Sequence, residues 1–505
     1  MLSRQDFHMT DLLYIYLPTL FLAYCVYKIY RIVLWPLISP LSKIPSMPYN
    51  PIFGNTKEIS KAETTEYSLR VSKKLGPVAR YFFFFGFEIV SVTGPEEIKH
   101  VLVTRGKNYD RQLRSRKLLE CIAGYSILAS SGPDHAAQRK LLNPSFSYRS
   151  IRAMVVSFQK YGQELNRFWK SNLEKNGATK HGLVAQPIQK DLGRTMLDVI
   201  GECAFGYEFN SIWEPEKKLT QAFADVLQLG FPASSWKILI PFYQSLPLEE
   251  NRRFKAGKKI VRQAVQTVIE HRKNEMKEGK EPYKDLLSVL MMAKDEETGQ
   301  GLSDTELTDH VMTFMFAGQE TTSTGLIWTL YLLSQHPEIQ DKVRKEILEV
   351  LPNNEDITWE HLDKLQYLKA VISESLRLFP PVAAVPEVAL QDDKIGDYFI
   401  PKGTYVLINT GAMHRNPNVW PDPETFNPDR FTDPNNPPKP YTYLPFSIGR
   451  RNCIGSRFAL IGMRVILSTL LRDLQFSLVP GTSYKRTQRI TMRPKPPMQL
   501  QICKV

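Results

Sequence analysis

Ser303-Asp-Thr-Glu306 sets a hydroxyl and a carboxylate three residues apart at the head of an apolar run that stops only at His336-Pro337. The hydroxyl can accept from the backbone N–H three residues on while the acid reaches back, so the spacing predicts a capped helix start; proline then turns the residue before it away from helix. About 30 residues lie between these signals, nearly 50 Å at the usual rise per residue. A helix of that length crosses a whole domain, and the rest of the chain has to be wrapped around it. Helical periodicity also dominates from about residue 150 to residue 378, broken by polar stretches at 272–284 and 294–301. The expected class is therefore mainly α. Residues 78–85 and 87–92 are β-branched and aromatic runs separated by Gly86, which reads as a hairpin in a small sheet.

Near the N-terminus no charged residue occurs from Leu12 to Tyr27, and apolar character persists past Lys28 and Arg31 to about Leu34. That is the length of a bilayer-spanning helix. A cleaved secretory peptide would need a basic region before the apolar one and a small-residue cleavage site after it, so an uncleaved signal anchor is expected. Arg4, Asp6 and Asp11 precede the run, whereas Lys28, Arg31 and Lys43 lie within or just after it, which points the bulk of the chain to the cytosol. The expected organisation is a short luminal tail at 1–11, a single N-terminal transmembrane helix at 12–34, a proline-rich hinge at 35–55 and one catalytic domain at 56–505. The hinge reading rests on Ile44-Pro-Ser-Met-Pro48, Pro51 and Gly54. A buried core helix is the alternative for 12–34, and the prolines that follow make it awkward.

Composition excludes several classes. With 43% hydrophobic and 23% charged residues the chain is globular, not disordered. Five cysteines without any CxxC spacing fit neither a disulfide framework nor a zinc ribbon, and suit a reducing compartment. A net charge of +13 suits an acidic partner or an anionic membrane surface. The basic residues are scattered through amphipathic segments with no concentrated arm, so no nucleic-acid partner is expected.

Phe446-Ser-Ile-Gly449-Arg-Arg451-Asn-Cys453-Ile-Gly455 puts one cysteine in a glycine-bracketed loop directly before an apolar helix expected at 456–471. A helix N-terminus favours thiolate over thiol, and glycines let the backbone come close to a flat ligand. A lone intracellular cysteine is more often a small buried hydrophobe. A chance match to Phe-x-x-Gly-x-Arg-x-Cys-x-Gly, however, should arise on the order of once in ten thousand chains of this length. The segment resembles the haem-binding loop of the cytochrome P450 family.

Further matches follow in the family's order and carry the resemblance over nearly the whole chain beyond the hinge. Glu374-Ser-Leu-Arg377 resembles the family's E-x-x-R, whose two residues share a helix face. Phe426-Asn-Pro-Asp-Arg430-Phe431 resembles the segment whose arginine completes a buried structural lock with that glutamate. Ala317-Gly318-Gln319-Glu320-Thr321-Thr322, midway along the long helix, resembles the oxygen-activation motif. Gly318 would let oxygen and haem approach a helix backbone. The resemblance makes Thr321 the hydrogen-bonding alcohol and Glu320 the acid that relays protons. Cys453 becomes the thiolate ligand and the metal-binding residue, and Arg451, Arg139, Phe446, Gly449, Gly455, Ala317 and Gly318 become haem contacts.

The pattern also departs from the family. His135-Ala-Ala-Gln-Arg139 stands where a tryptophan and an arginine usually meet the haem propionates, Glu387 where an arginine often does, and Gly462 where a glutamate is common. A protonated His135 could still meet a propionate, and a carboxylate at 387 would repel one.

The resemblance implies a cytochrome P450 fold, mainly α with a smaller β-rich part near 56–95 and 383–410. It implies haem b and monooxygenation of a lipophilic substrate, with a pocket lined from 105–125, 223–245, 312–318 and 382–385. The chain has no nicotinamide or flavin fingerprint, so electrons from NADPH must arrive through a partner flavoprotein. That partner is NADPH-cytochrome P450 reductase, docking on a basic face near Cys453, with cytochrome b5 as a candidate second donor. The expected location is the endoplasmic reticulum membrane. Two other readings are a haem-thiolate isomerase or lyase acting on hydroperoxides, for which a delivered proton has no use, and a non-catalytic haem- or lipid-binding membrane protein.

Overall fold

The computed structural model describes residues 9–176, 182–214, 218–230, 243–280, 285–294, 299–353 and 355–505, with side chains from residue 16 onward. Residues 1–8 of the expected luminal tail and 231–242 of the expected pocket lining lie outside the described residues. The chain divides into two compact units, one running to Tyr109 and including Pro386–Asn409, the other Asp110–Val385 with Thr410–Val505.

In the first unit, the N-terminal helix Met9–Ile29 continues through a π turn, Tyr30–Leu34, into Trp35–Ile38. Tyr16–Ile38 is long and apolar enough to cross a membrane. Helix thus extends four residues into the segment expected to be a hinge. Pro36 falls directly after the π turn, at the second residue of this last helical turn.

The end of this helix is also clamped. Trp35 Nε1 donates to Glu88 Oε2 at 2.9 Å, Ser39 Oγ donates to Glu88 Oε1 at 3.0 Å, and Arg80 Nη1 donates both to Pro36 O at 3.0 Å and to Glu88 Oε1 at 2.9 Å. Arg80 and Glu88 are diagonal neighbours across the expected hairpin, Val78–Phe83 paired antiparallel with Phe87–Val92. The first strand ends two residues early, at a turn where Gly86 takes φ +69 and where a Cβ would sit 2.6 Å from Arg31 O, two reasons for glycine at this position. Phe87–Val92 runs parallel to Tyr405–Ile408, which neighbours Val385–Ala389, so the small sheet joins the two expected β-rich stretches.

The second unit is built on the long helix Asp304–Gln335. Its capping box is formed: Glu306 N donates to Ser303 Oγ at 3.3 Å and Ser303 N to Glu306 Oε2 at 2.9 Å. The helix ends at His336, the residue before Pro337. Ile188–Phe205 packs along it, and Trp328 stacks on Phe379 with ring centroids 4.2 Å apart. Ser456–Asp473 packs against both the long helix and Val155–Lys175. Gly462 is what allows the second contact, since a Cβ there would lie 2.8 Å from the Phe158 ring; the departure at this position is a packing difference. Four strands follow at the C-terminus, Leu474–Leu478, Lys485–Gln488, Met492–Lys495 and Leu500–Lys504.

Candidate active site

Cys453 sits three residues before the start of Ser456–Asp473, whose N-cap, Gly455, has no side chain to offer. The loop is closed by Cys453 N donating to Phe446 O at 2.9 Å and Asn452 N donating to Gly449 O at 3.2 Å. Gly449 opens a tight turn at φ +80, a conformation glycine adopts without a steric cost. Phe446 packs against the main core and anchors the loop's start. A Cβ on Gly455 would lie 4.0 Å from Cys453 Sγ, an ordinary contact, so protein packing alone does not demand glycine there.

Among the cysteines, Cys25 and Cys121 are partly buried, Cys203 and Cys503 buried, and Cys453 exposed. Desolvation nevertheless pushes the Cys453 thiol up, opposed by the Gly455 N–H and by the charge of Arg139. A metal ion there would override the shift, since a coordinating thiol is deprotonated outright.

The long helix offers the matching surface. From Leu307 to Leu330 every residue is buried except Ala317, Gly318 and Thr321. Ala317 and Thr321 are one turn apart and Gly318 is adjacent, so these three open a single window on one side of the helix. Thr321 Oγ1 donates to Ala317 O at 2.7 Å, turning the hydroxyl back on its own helix. One turn further on, Gly325 meets Met463 of Ser456–Asp473; a Cβ on Gly325 would be 3.1 Å from Met463 Cε. A Cβ on Gly318 would lie 2.9 Å from Ile200 Cδ1, so the glycine also eases the crossing of Ile188–Phe205 over the long helix.

Two arginines brace the loop. Arg139 Nη1 and Nη2 donate to Asn452 O and Oδ1 at 2.6 and 2.8 Å, and its Nε to Asn143 Oδ1 at 2.9 Å. Arg451 pairs with Asp110 at 2.6 Å and donates to Ser130 O at 2.7 Å. His135 is buried, and burial together with the Arg451 charge pushes its pKa down to about 4. The protein surroundings by themselves therefore favour the neutral ring. Glu387 belongs to the other unit, buried in Val385–Ala389.

The lock expected among Glu374, Arg377 and Arg430 is formed. Glu374 and Arg377 are both completely buried, with Arg377 Nε 2.6 Å from Glu374 Oε2 and Nη2 2.8 Å from Oε1. Arg430 Nε lies 3.4 Å from Glu374 Oε1, and Asn427 N donates to the same oxygen at 3.0 Å. Arg377 also donates to His414 O and Pro423 O, each at 2.7 Å. His414 Nε2 in turn accepts from Leu444 N at 2.9 Å, two residues before the cysteine loop begins.

Glu320 does not join the window. Its side chain is ion-paired with Arg493 and accepts a hydrogen bond from Thr491 Oγ1. No hydrogen bond joins it to Thr321. Sequence reasoning had no signal for Thr491 and Arg493, which lie 171 and 173 residues further along the chain, nor for Asp110 and Asn452, which hold the two arginines.

The residues fit a haem: an accessible cysteine sulfur at a helix N-terminus, a window of small side chains on a helix packed against that helix, and two arginines at the loop. A family model described as cytochrome P450 matches residues 44–502. Among curated relatives, the chain is 29% identical over 494 residues to "Cytochrome P450 monooxygenase sphH" of Aspergillus fumigatus, covering 92% of this chain and 89% of the relative. It is 31% identical to "Cytochrome P450 4F8" of Homo sapiens, covering 82% and 81%, and 32% identical to "Cytochrome P450 3A9" of Rattus norvegicus, covering 82% of each.

Proposed function

Since the chain belongs to the cytochrome P450 family and is an oxidoreductase of the monooxygenase class, we propose that it inserts one oxygen atom from O2 into a lipophilic organic substrate, using NADPH electrons delivered by NADPH-cytochrome P450 reductase. Haem, which the family implies, supplies when bound the iron at which dioxygen is reduced. Cys453 Sγ is the ligand, held by the loop from Phe446 to Gly455; a thiolate there pushes electron density toward the metal. Arg139 and Arg451 supply positive charge beside the loop for the propionates. Ala317 and Gly318 would leave room at the helix window, and Thr321 would supply a hydroxyl there once Oγ1 turns away from Ala317 O. Glu320 is the acid that restores the proton Thr321 passes on. Met312, Phe314, Met315 and Phe316 make the same helix apolar, which suits a lipophilic substrate.

The observation that carries the reading is an exposed Cys453 before one helix together with a gap in burial at Ala317, Gly318 and Thr321, between Leu307 and Leu330, on the long helix packed against it. The N-terminal apolar helix fits a membrane anchor. The endoplasmic reticulum membrane, a cytosolic catalytic domain and cytochrome b5 as a second donor complete the proposal. Its test is turnover under 18O2 with reductase and NADPH in phospholipid vesicles, against long-chain fatty acids, sterols and terpenoids. The expected product carries one labelled oxygen and requires NADPH. Conversion of a fatty-acid hydroperoxide without NADPH, with no label from O2 in any product, would replace the proposal with the isomerase or lyase reading.

A further inference from the structure

The hairpin Lys485–Gln488/Met492–Lys495 is docked on the long helix by a polar stripe at i, i+4 and i+8. Glu320 takes Thr491 and Arg493, Thr324 Oγ1 lies 3.3 Å from Thr491 Oγ1, and Trp328 Nε1 donates to Met492 O at 2.7 Å. The last two contacts already fix the hairpin. A third that buries a full ion pair is a costly way to add stability, because desolvating both charges offsets most of their attraction. Its retention points to a task beyond docking.

Burial says which task. Glu320 is 2% exposed and has no route of its own to solvent, whereas the Arg493 side chain is 19% exposed and spans from the carboxylate to the outside. The guanidinium grips both carboxylate oxygens, Nε to Oε1 at 2.5 Å and Nη2 to Oε2, and a two-point grip of this kind fixes direction as well as distance. The same hairpin is tied at its turn, where Arg489 Nη1 donates to Gln228 O at 2.6 Å in the helix Lys218–Leu229. Phe223 of that helix packs on Phe316, the residue before the window, with ring centroids 4.9 Å apart.

We infer that Arg493 is the positioning residue for Glu320: it holds the acid's direction and links it to solvent, so that protons reach Thr321 through a carboxylate that would otherwise be sealed in. This rests on the monooxygenase reading and adds a residue that the oxygen motif does not contain. The consequence is chemical. Without organic substrate, O2 takes one NADPH and one proton to give H2O2, or two NADPH and two protons to give two waters. Slower proton supply lets peroxide leave first.

The experiment uses full-length holoprotein in phosphatidylcholine vesicles with reductase, and O2 itself as the probe. NADPH consumed per O2 and H2O2 released are measured for the parent, Arg493→Gln, Arg493→Lys, Glu320→Gln and the Arg493→Gln/Glu320→Gln double variant. The carbon monoxide band of each is recorded first. Arg493→Gln should lower the water-to-peroxide ratio by about fivefold or more, the scale of losing part of one positioned proton donor. Arg493→Lys, which keeps the charge but not the two-point grip, should fall between the parent and Arg493→Gln, and the double variant should be no worse than Glu320→Gln alone, as residues acting in series require. An unchanged ratio in Arg493→Gln with a lowered melting temperature would make the pair merely structural and overturn the inference. If Arg493→Gln does not retain haem, a Glu320→Gln ratio equal to the parent's overturns it, and a lowered one alongside a lowered Arg493→Lys ratio supports it. A parent without any thiolate-type carbon monoxide band would remove the haem reading itself, a different failure.

Discussion

Glu374→Ala removes the centre of the buried lock. Its carboxylate carries two donors from Arg377, one from Asn427 N and the charge of Arg430, all out of water. After truncation Arg377, itself completely buried, keeps only carbonyl partners: His414 O and Pro423 O at 2.7 Å and Thr425 O at 3.3 Å. Those bonds solvate the guanidinium but do not neutralise it. Breaking a buried pair by deleting one partner costs about 3–5 kcal/mol, which is roughly 10²–10⁴ in the ratio of folded to unfolded chain. The assay is urea unfolding of parent and variant at equal haem occupancy, followed by far-UV circular dichroism. A surface pair makes the control: Arg152 and Glu360 approach to 2.6 Å, the same spacing, with side chains 54% and 61% exposed. Solvent screens such a pair, and Glu360→Ala should leave the midpoint unmoved. Equal shifts for Glu374→Ala and Glu360→Ala would refute the reasoning that burial, not spacing, sets the cost.

Two further predictions concern stability. Burial, with the charge of Arg377 beside it, pushes His414 down to about 3 from its usual 6.5. Above pH 6.5 neither state is protonated and the contribution is full; below it the unfolded chain takes a proton the folded one refuses. Stability should therefore fall by about 1.4 kcal/mol per pH unit from 6.5 toward 3 on account of this residue. His414→Gln should flatten the slope in urea midpoints between pH 7 and pH 5, and an unchanged slope would contradict the assignment. Gly462→Ala should cost about 1–3 kcal/mol because its Cβ meets the Phe158 ring. Gly318→Ala should be nearly neutral, since Ile200 Cδ1 is the free end of a flexible side chain and alanine gains about 1 kcal/mol of helix propensity. Reversed urea midpoints would show that these close contacts had been misjudged.

Local signals proved readable where one short segment carries the physics. The capping box and Pro337 bound the long helix correctly because both act within a turn of the boundary. The Cys453 loop and the Glu374–Arg377 pair were legible for the same reason. Contacts made across the chain were not. Thr491 and Arg493 sit in a stretch rich in Lys, Arg and Pro that gave no strand signal; the strand pairs locally, Arg493 opposite Thr487, but its partner on the long helix, Glu320, lies 173 residues away. That Gly318 sits against Ile200 and that His135 is buried next to Arg451 are matters of packing that the sequence does not show. Nor does it show that Glu88 and Arg80 clamp Trp35 and Pro36 at the start of the proline-rich stretch.

The central claim, that Cys453 holds a haem iron as thiolate, is tested most directly by the absorption spectrum of the dithionite-reduced protein under carbon monoxide, with parent and Cys453→Ala prepared in parallel. The parent should show the red-shifted Soret band of thiolate ligation, and the variant should lack it. A parent that binds no haem, or a histidine-type band that survives Cys453→Ala, would contradict the account.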